Sequence, residues 1–196
     1  TYTTNEETPV TLTPLTGDSD PENDTLTIDS INGVTLTGGV QSIPVTNGTV
    51  NIDANDVITF TPAVNYSGPI TFPYEISDGN GGTNTANQNI TVNNVNDAPV
   101  AVDDTYTTNE ETPVTLTPLT GDSDPENDTL TIDSINGVTL TGGVQSIPVT
   151  NGTVNIDAND VITFTPAVNY SGPITFPYEI SDLTLIHNSP YQQPTL

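Results

Sequence analysis

The chain has 196 residues and contains 25 Asp and Glu but no Lys or Arg, which gives a formal net charge of −25. Without basic residues it lacks the groups that neutralise phosphate, and this excludes nucleic acid and anionic membrane surfaces as partners. Cys is also absent, so disulfides, thiol nucleophiles and thiolate metal sites are excluded.

Short apolar runs separated by turn residues predict β-strands throughout the first 98 residues. The predicted strands contain, in chain order, Val10, Leu12 and Leu15; Leu26, Ile28 and Ile31; Val34 and Leu36; Val40, Ile43 and Val45; Val50 and Ile52; Ile58 and Phe60; Phe72, Tyr74 and Ile76; and Ile90 with Val92. Pro73 interrupts one of these runs and predicts an edge strand or a bulge there. No segment shows a helical period, so the pattern predicts a Greek-key β-sandwich of immunoglobulin type.

An internal duplication sets the domain organisation. Residues 1–78 recur without change at 105–182, a period of 104 residues. This period matches one independently folding domain, and we expect an all-β fold of two tandem β-sandwiches arranged end to end, over residues 1–98 and 99–196. Repetition adds reach or multivalency and is not needed to build one catalytic site, so we expect a monomeric, non-enzymatic spacer whose partners are its neighbouring repeats.

An acidic loop occurs in both copies, at 17–24 and 121–128. Clustered carboxylates must be neutralised, because two of them about 5 Å apart repel by roughly 3 kcal/mol at an effective dielectric of about 20. Counted from Asp18, acids occupy positions 1, 3, 5, 7 and 12, a spacing close to that of calcium-binding loops. The predicted calcium ligands are Asp18, Asp20, Glu22, Asp24 and Asp29 in the first copy, and Asp122, Asp124, Glu126, Asp128 and Asp133 in the second. The alternative is a solvated acidic turn.

Several motifs spread over the whole repeat resemble one known group of proteins. They are Val95-Asn96-Asp97-Ala98-Pro99, Val102-Asp103-Asp104 with Glu110-Glu111, Phe60-Thr61-Pro62, Asn65-Tyr66-Ser67-Gly68, and the run from Tyr74 to Gly82. Together they resemble the cadherin-like and immunoglobulin-like tandem repeats of bacterial RTX adhesins, in particular the calcium-dependent extender repeats of ice-binding adhesins. The resemblance implies secreted, cell-surface repeats that calcium stiffens and that project a distal binding domain.

The same resemblance implies a second calcium site at the junction of the copies. Asn94, Asn96 and Asp97 align with linker ligands, although Asn94 replaces the usual acid. The residues expected to complete an oxygen cage are Asp103, Asp104, Glu110 and Glu111 of the second copy, and Asp78 with Asn80 of the first. Magnesium is less suited to such a cage, because it prefers a smaller octahedral shell. The alternative is an ordinary polar linker, stiffened by the β-branched residues that are expected to begin the next strand.

Two other functions remain open at this point. A calcium-dependent carbohydrate-binding module would need an aromatic platform, for which Tyr2 and Tyr66 are the candidates. Direct ice binding would need the Thr-x-Thr triplets, such as those around Leu12 and Leu26, to lie in register on one flat face, whereas a twisted sandwich places them on separate strands. His187 has no partner that would make it catalytic.

The sequence departs from the repeat after Asp182. Residues 183–196 do not match 79–92, so the second copy lacks the sequence of its final strand. We therefore expect an open sheet edge and lower stability in the second copy, unless Leu183 to Ile186 pair as a substitute. The first copy begins at Thr1 and has no counterparts of Asp103 and Asp104.

Overall fold

The computed structural model describes residues 1–182. The chain divides into two compact units, Thr1–Val95 (unit 1) and Asn96–Leu196 (unit 2). The structure divides the chain between residues 95 and 96, whereas the sequence predicted a division between residues 98 and 99. The expectations for Leu183 to Ile186 and for His187 lie outside the described residues.

Unit 1 consists of nine strands and contains no helix. They are β1 (Tyr2–Asn5), β2 (Val10–Leu12), β3 (Thr27–Ile31), β4 (Val34–Thr35), β5 (Gln41–Val45), β6 (Gly48–Ile52), β7 (Ile58–Pro62), β8 (Gly68–Ser77) and β9 (Thr83–Asn93). They form a five-stranded sheet in the order β1-β9-β8-β3-β4 and a four-stranded sheet in the order β2-β7-β6-β5. The sheets share one core, in which Ile31, Ile43 and Phe60 are fully buried.

Buried and exposed residues alternate along β8 and in the C-terminal half of β9, so the larger sheet turns one face towards this core. Ile70, Phe72 and Tyr74 are buried on β8, while the residues between them face outward. The two strands pair antiparallel over ten positions, from Gly68 opposite Val92 to Ser77 opposite Thr83. Because side chains alternate between the faces of a sheet, this register brings the buried side chains of both strands to the same face.

The prediction that Pro73 marks an edge strand or a bulge is wrong. β8 lies inside its sheet, between β9 and β3, and the register shift in the β3 ladder falls between Ile28 and Ser30. The carbonyl oxygen of Pro73 accepts the N–H of Asn32 at 2.8 Å. The nitrogen of Pro73 faces the same side, where β3 has already ended at Ile31. The missing N–H therefore removes no ladder hydrogen bond.

Strand β1 was not predicted from the sequence. It pairs in parallel with β9, placing Thr4 opposite Val92. In contrast, the linker residues that were expected to begin the first strand of unit 2 form only an isolated bridge, between Val100 and Ser123.

Unit 2 has seven strands among its described residues. They are β10 (Val114–Leu116), β11 (Leu130–Ile135), β12 (Val138–Thr139), β13 (Gln145–Val149), β14 (Gly152–Ile156), β15 (Ile162–Pro166) and β16 (Tyr178–Asp182). They form a four-stranded sheet in the order β10-β15-β14-β13 and a three-stranded sheet in the order β12-β11-β16. The predicted all-β fold with two tandem β-sandwiches is confirmed.

The two units differ although residues 1–78 and 105–182 have the same sequence. Up to Asp182, unit 2 includes no counterpart of β1 or β9. Ile70, Phe72 and Tyr74 are buried in unit 1, whereas their counterparts Ile174, Phe176 and Tyr178 are only partly buried. Apolar burial is the main stabilising contribution to folding, so unit 2 has the weaker core.

We therefore expect unit 2 to unfold before unit 1 in a urea titration of the full chain. Because the sequence contains no Trp, Tyr66→Trp or Tyr170→Trp places a single Trp fluorophore at the same position of one unit or the other. The Tyr170→Trp chain should show its fluorescence transition at the lower urea concentration. Coincident transitions in the two variants would contradict this expectation.

Candidate metal site

The acidic loop folds around its second Asp in both units. Oδ1 of Asp20 accepts the N–H groups of Glu22 and Asp24, at 2.9 and 3.0 Å. Asn23 adopts the left-handed conformation with a φ of 63°, which Asn tolerates better than most residues with a side chain. The turn uses only one oxygen of the carboxylate, and the other is available to a further partner.

The same hydrogen bonds recur in unit 2. Oδ1 of Asp124 accepts the N–H groups of Glu126 and Asp128, at 3.0 and 2.9 Å. The predicted spacing therefore corresponds to a real loop in each copy.

In unit 1 a tyrosine and a neighbouring turn hold this loop in place. The hydroxyl of Tyr74 lies 2.8 Å from Oδ2 of Asp18 and 3.0 Å from the carbonyl oxygen of Pro14. Nδ2 of Asn80 donates to Oδ2 of Asp24 at 2.7 Å. Asp78 accepts the N–H groups of Asn80 and Gly82 through Oδ1, at 2.7 and 2.9 Å. The turn after β8 therefore belongs to the same acidic cluster as the loop.

These contacts shift the pKa values of the groups involved. Burial, with the hydrogen bond to Asp18, raises the pKa of Tyr74 to about 12. The pKa of Tyr178 is raised to about 12 by burial and by Asp122. Backbone N–H groups of Asn80 and Gly82 lower the pKa of Asp78. At neutral pH the tyrosines are therefore hydrogen-bond donors and Asp78 is ionised.

In unit 2 the linker segment, residues 96–104, lies across the acidic loop. Val100 and Ser123 exchange two backbone hydrogen bonds, at 2.7 and 3.0 Å. The N–H of Val102 donates to Oδ1 of Asp122 at 2.8 Å. The hydroxyl of Tyr178 reaches both the carbonyl oxygen of Val102, at 3.0 Å, and the carboxylate of Asp122, at 3.1 to 3.2 Å. Four connections thus fix the linker segment to its own unit.

Acids of the linker segment meet acids of the loop at this crossing. The N–H of Asp97 donates to Oε2 of Glu126 at 3.1 Å, and carboxylate oxygens of these two residues lie within 4.8 Å of each other. Nδ2 of Asn96 donates to Oδ2 of Asp182 at 3.0 Å. The sequence predicted separate loop and junction sites, whereas in unit 2 part of each forms one cluster. We call it the acidic end of unit 2, and it comprises Asn96, Asp97, Asp103, Asp104, Asp122, Asp124, Glu126, Asp128 and Asp182.

The acidic end contains buried carboxylate oxygens that lack a donor. Asp124 is 8% exposed. Oδ2 of Asp97, of Asp104 and of Asp124 is buried, and none of the three has a hydrogen-bond partner among the described residues. Burying a polar group without a partner is costly, and more so for a charged one. Because the sequence offers no Lys or Arg, a cation from solution suits these oxygens, and carboxylate oxygens are the ligands that calcium prefers.

The twelfth position of the loop motif lies on a strand and not in the loop. Asp29 and Asp133 sit at the register shifts of β3 and β11, and both are exposed. Asp29 accepts a long hydrogen bond of 3.4 Å from the hydroxyl of Thr27. Asp133 accepts the hydroxyl of Ser181 at 2.8 Å, beside Asp182.

Glu110 and Glu111 do not join the acidic end. Oε1 of Glu111 accepts the N–H of Asn169 at 3.1 Å, as Glu7 accepts that of Asn65 in unit 1. In unit 1 this contact precedes β8, and the acidic cluster lies at the far end of that strand. Ten residues at about 3.3 Å each separate the two ends by roughly 30 Å. Glu110 precedes Glu111 in the chain and is exposed.

The junction site is therefore divided differently from the prediction. Asp78 and Asn80 contact the loop of their own unit, and β9 then runs eleven residues before the chain reaches Asn94. Sequence analysis also overlooked two acids. Asp182 is the repeat counterpart of Asp78, and Glu6, the counterpart of Glu110, is 3% exposed and accepts the N–H of Val95. The exact repeat was the signal that could have identified both.

The comparisons with known proteins agree with this architecture. The chain belongs to the bacterial Ig domain family, which it matches over residues 1–91 and again over 96–185. No curated protein matches the chain. One similar solved structure is an endo-fucoidan hydrolase variant of glycoside hydrolase family 107, with 22% identity and a TM-score of 0.26. The match covers 83% of this chain but only 22% of that enzyme, and at this TM-score it carries no functional argument. Residues 1–182 contain no helix that could span a membrane.

Asp124 and its counterpart Asp20 allow the cost of a buried, unpartnered carboxylate oxygen to be measured. In chelator, Asp124→Asn should stabilise unit 2 by about 1–3 kcal/mol, the cost of an unsatisfied buried group, because the amide keeps the acceptor for the turn and removes a buried charge. Asp20→Asn should change unit 1 less, because Asp20 is half-buried. Urea unfolding with the single-Trp chains measures both effects. Destabilisation of unit 2 by Asp124→Asn in chelator would contradict the expectation.

Proposed function

We propose that this chain is a structural extender from a large bacterial surface adhesin, in which calcium stiffens tandem Ig domains so that they hold a distal binding domain away from the cell. Two identical copies in direct succession support this function, because each added domain increases reach without a new active site. A strand of about eight residues spans about 26 Å, so every aligned unit contributes at least that length.

Calcium dependence rests on one observation, which is that no donor among residues 1–182 satisfies the buried Oδ2 atoms of Asp97, Asp104 and Asp124. Asp97 and Glu126, whose carboxylate oxygens lie within 4.8 Å of each other, would share the ion, and Asp104 and Asp124 offer further buried oxygens to a cation. The ion would supply the positive charge that the sequence lacks. Because Asp97 and Glu126 come together only in the folded chain, calcium would stabilise the fold by RT ln(1 + [L]/Kd), and millimolar calcium should raise the melting temperature.

The position of these acids connects calcium to stiffness. Asp97 belongs to the linker segment, whereas Glu126 belongs to the loop of the sandwich. An ion shared between them would fix the linker segment to unit 2 and remove bond rotations that domains linked in tandem otherwise keep. Carboxylates that repel one another would release the segment when calcium is withdrawn.

The geometry does not favour the carbohydrate-binding alternative. Tyr66 lies in the loop before β8, where its hydroxyl donates to the carbonyl oxygen of Pro69 at 2.9 Å. This is the end that Glu7 occupies, opposite the acidic cluster of unit 1. Of the two platform candidates, Tyr66 therefore does not adjoin the acids that would hold calcium, and the alternative rests on Tyr2 alone.

Small-angle scattering tests the proposal. In calcium, Asp103→Asn combined with Asp104→Asn should leave both sandwiches folded but give a shorter maximum dimension than the parent chain, since the linker segment would lose these ligands and be held mainly by hydrogen bonds. The control Asp56→Asn with Asp160→Asn removes the same charge from two exposed turns and should keep the parent dimension. Identical dimensions for all three chains in calcium would refute the assignment.

A further inference from the structure

The edge of β16 in unit 2 has the sequence of an edge that is covered in unit 1. Residues 172–181 are identical to 68–77, which form β8. In unit 1, β9 pairs with all ten residues of β8. In unit 2, the described part of the chain pairs Tyr178–Asp182 with β11 alone, and residues 173–177 form no strand.

The side chains under this edge keep their direction towards the core. The ring centroids of Phe164 and Phe176 lie 5.8 Å apart, and those of Phe60 and Phe72 lie 6.1 Å apart in unit 1. Phe176 and Ile174 pack against the core of unit 2 but remain partly exposed. Phe176 thus keeps the ring contact with the core that Phe72 makes in the completed sheet of unit 1.

Unit 1 shows what covers the corresponding edge. Strand β9 places Gln88, Ile90 and Val92 on the buried face, and each of them is less than 7% exposed. The residues between them are exposed and polar, so the segment is apolar on one face only. Main-chain pairing supplies affinity in strand addition, and alternate side chains supply specificity.

We propose that unit 2 is an acceptor for β-strand addition, in which the edge formed by residues 172–181 binds an extended segment of a separate polypeptide in the register of β9. The ligand is a free segment with the chemistry of Thr83–Asn93, which has branched apolar residues at alternate positions near its C-terminal end. A second copy of this chain is a poor donor, because its own β9 would have to leave an identical strand and would gain no new pairing.

A synthetic peptide with the sequence TNTANQNITVN tests the proposal directly. Labelled at its N-terminus and titrated with the full chain, it should show saturable binding by fluorescence polarisation, with one peptide per chain. A peptide carrying Ile90→Asp and Val92→Asp keeps the backbone but loses the buried face, and it should bind at least tenfold more weakly.

A grafted chain provides the second arm. Replacing residues 183–196 by the sequence of residues 79–93 supplies the strand in cis, so unit 2 should gain stability and the chain should lose peptide binding. Two results would overturn the proposal. One is no binding of the peptide to the parent chain, and the other is equal binding to the parent and the graft, which would mean that the peptide does not recognise this edge.

Discussion

The carboxylates of this chain repel one another, and no basic residue is present to pair with them. Uncharged hydrogen-bond donors stabilise them instead. Backbone N–H groups cap Asp20, Asp53, Asp78 and Asp124, and they lower the pKa of Asp53 and of Asp78. The hydroxyls of Tyr74 and Tyr178 hydrogen-bond to the first acid of each loop, Asp18 and Asp122. Among residues 1–182, Oδ2 of Asp97, of Asp104 and of Asp124 stays buried without a hydrogen-bond partner. A bound cation would stabilise these oxygens.

The buried oxygens lie where the linker segment meets the acidic loop, so a charge bound there would affect the linker segment. An acidic turn alone would be a solvated loop, as half-buried Asp20 indicates in unit 1. In unit 2 the linker segment crosses the same loop, adds its own acids and covers Asp124 more completely. The cluster thus forms where the chain enters the sandwich, and a bound ion there would restrict the linker segment. The repeats allow a direct comparison, because Asp20 and Asp124 occupy the same loop sequence and differ in burial.

Sequence patterns predicted the strands better than the site. Alternation in Phe72 and Tyr74, and the turn chemistry after them, located β8 because both signals are local. The parallel pairing of β1 with β9 was missed, since it joins residues almost 90 positions apart. Spacing correctly identified Asp20 and Asp124 as loop acids. The resemblance placed Glu111 wrongly in the junction site, because strand direction decides which end of a sandwich a residue occupies, and only the assembled sheet shows that. The divergence after Asp182 was visible in the sequence, and its consequence for burial at Phe176 required the structure.

Sensitised terbium luminescence tests the central claim, that a cation binds the acidic end, most directly. Terbium replaces calcium at oxygen sites and is excited by energy transfer from a nearby aromatic ring, and Tyr178 contacts Asp122 within this cluster. The account predicts tyrosine-sensitised emission that calcium competes away, that Tyr178→Phe strongly reduces, and that Tyr170→Phe leaves unchanged. Emission that is absent, or that persists equally in Tyr178→Phe, would contradict it.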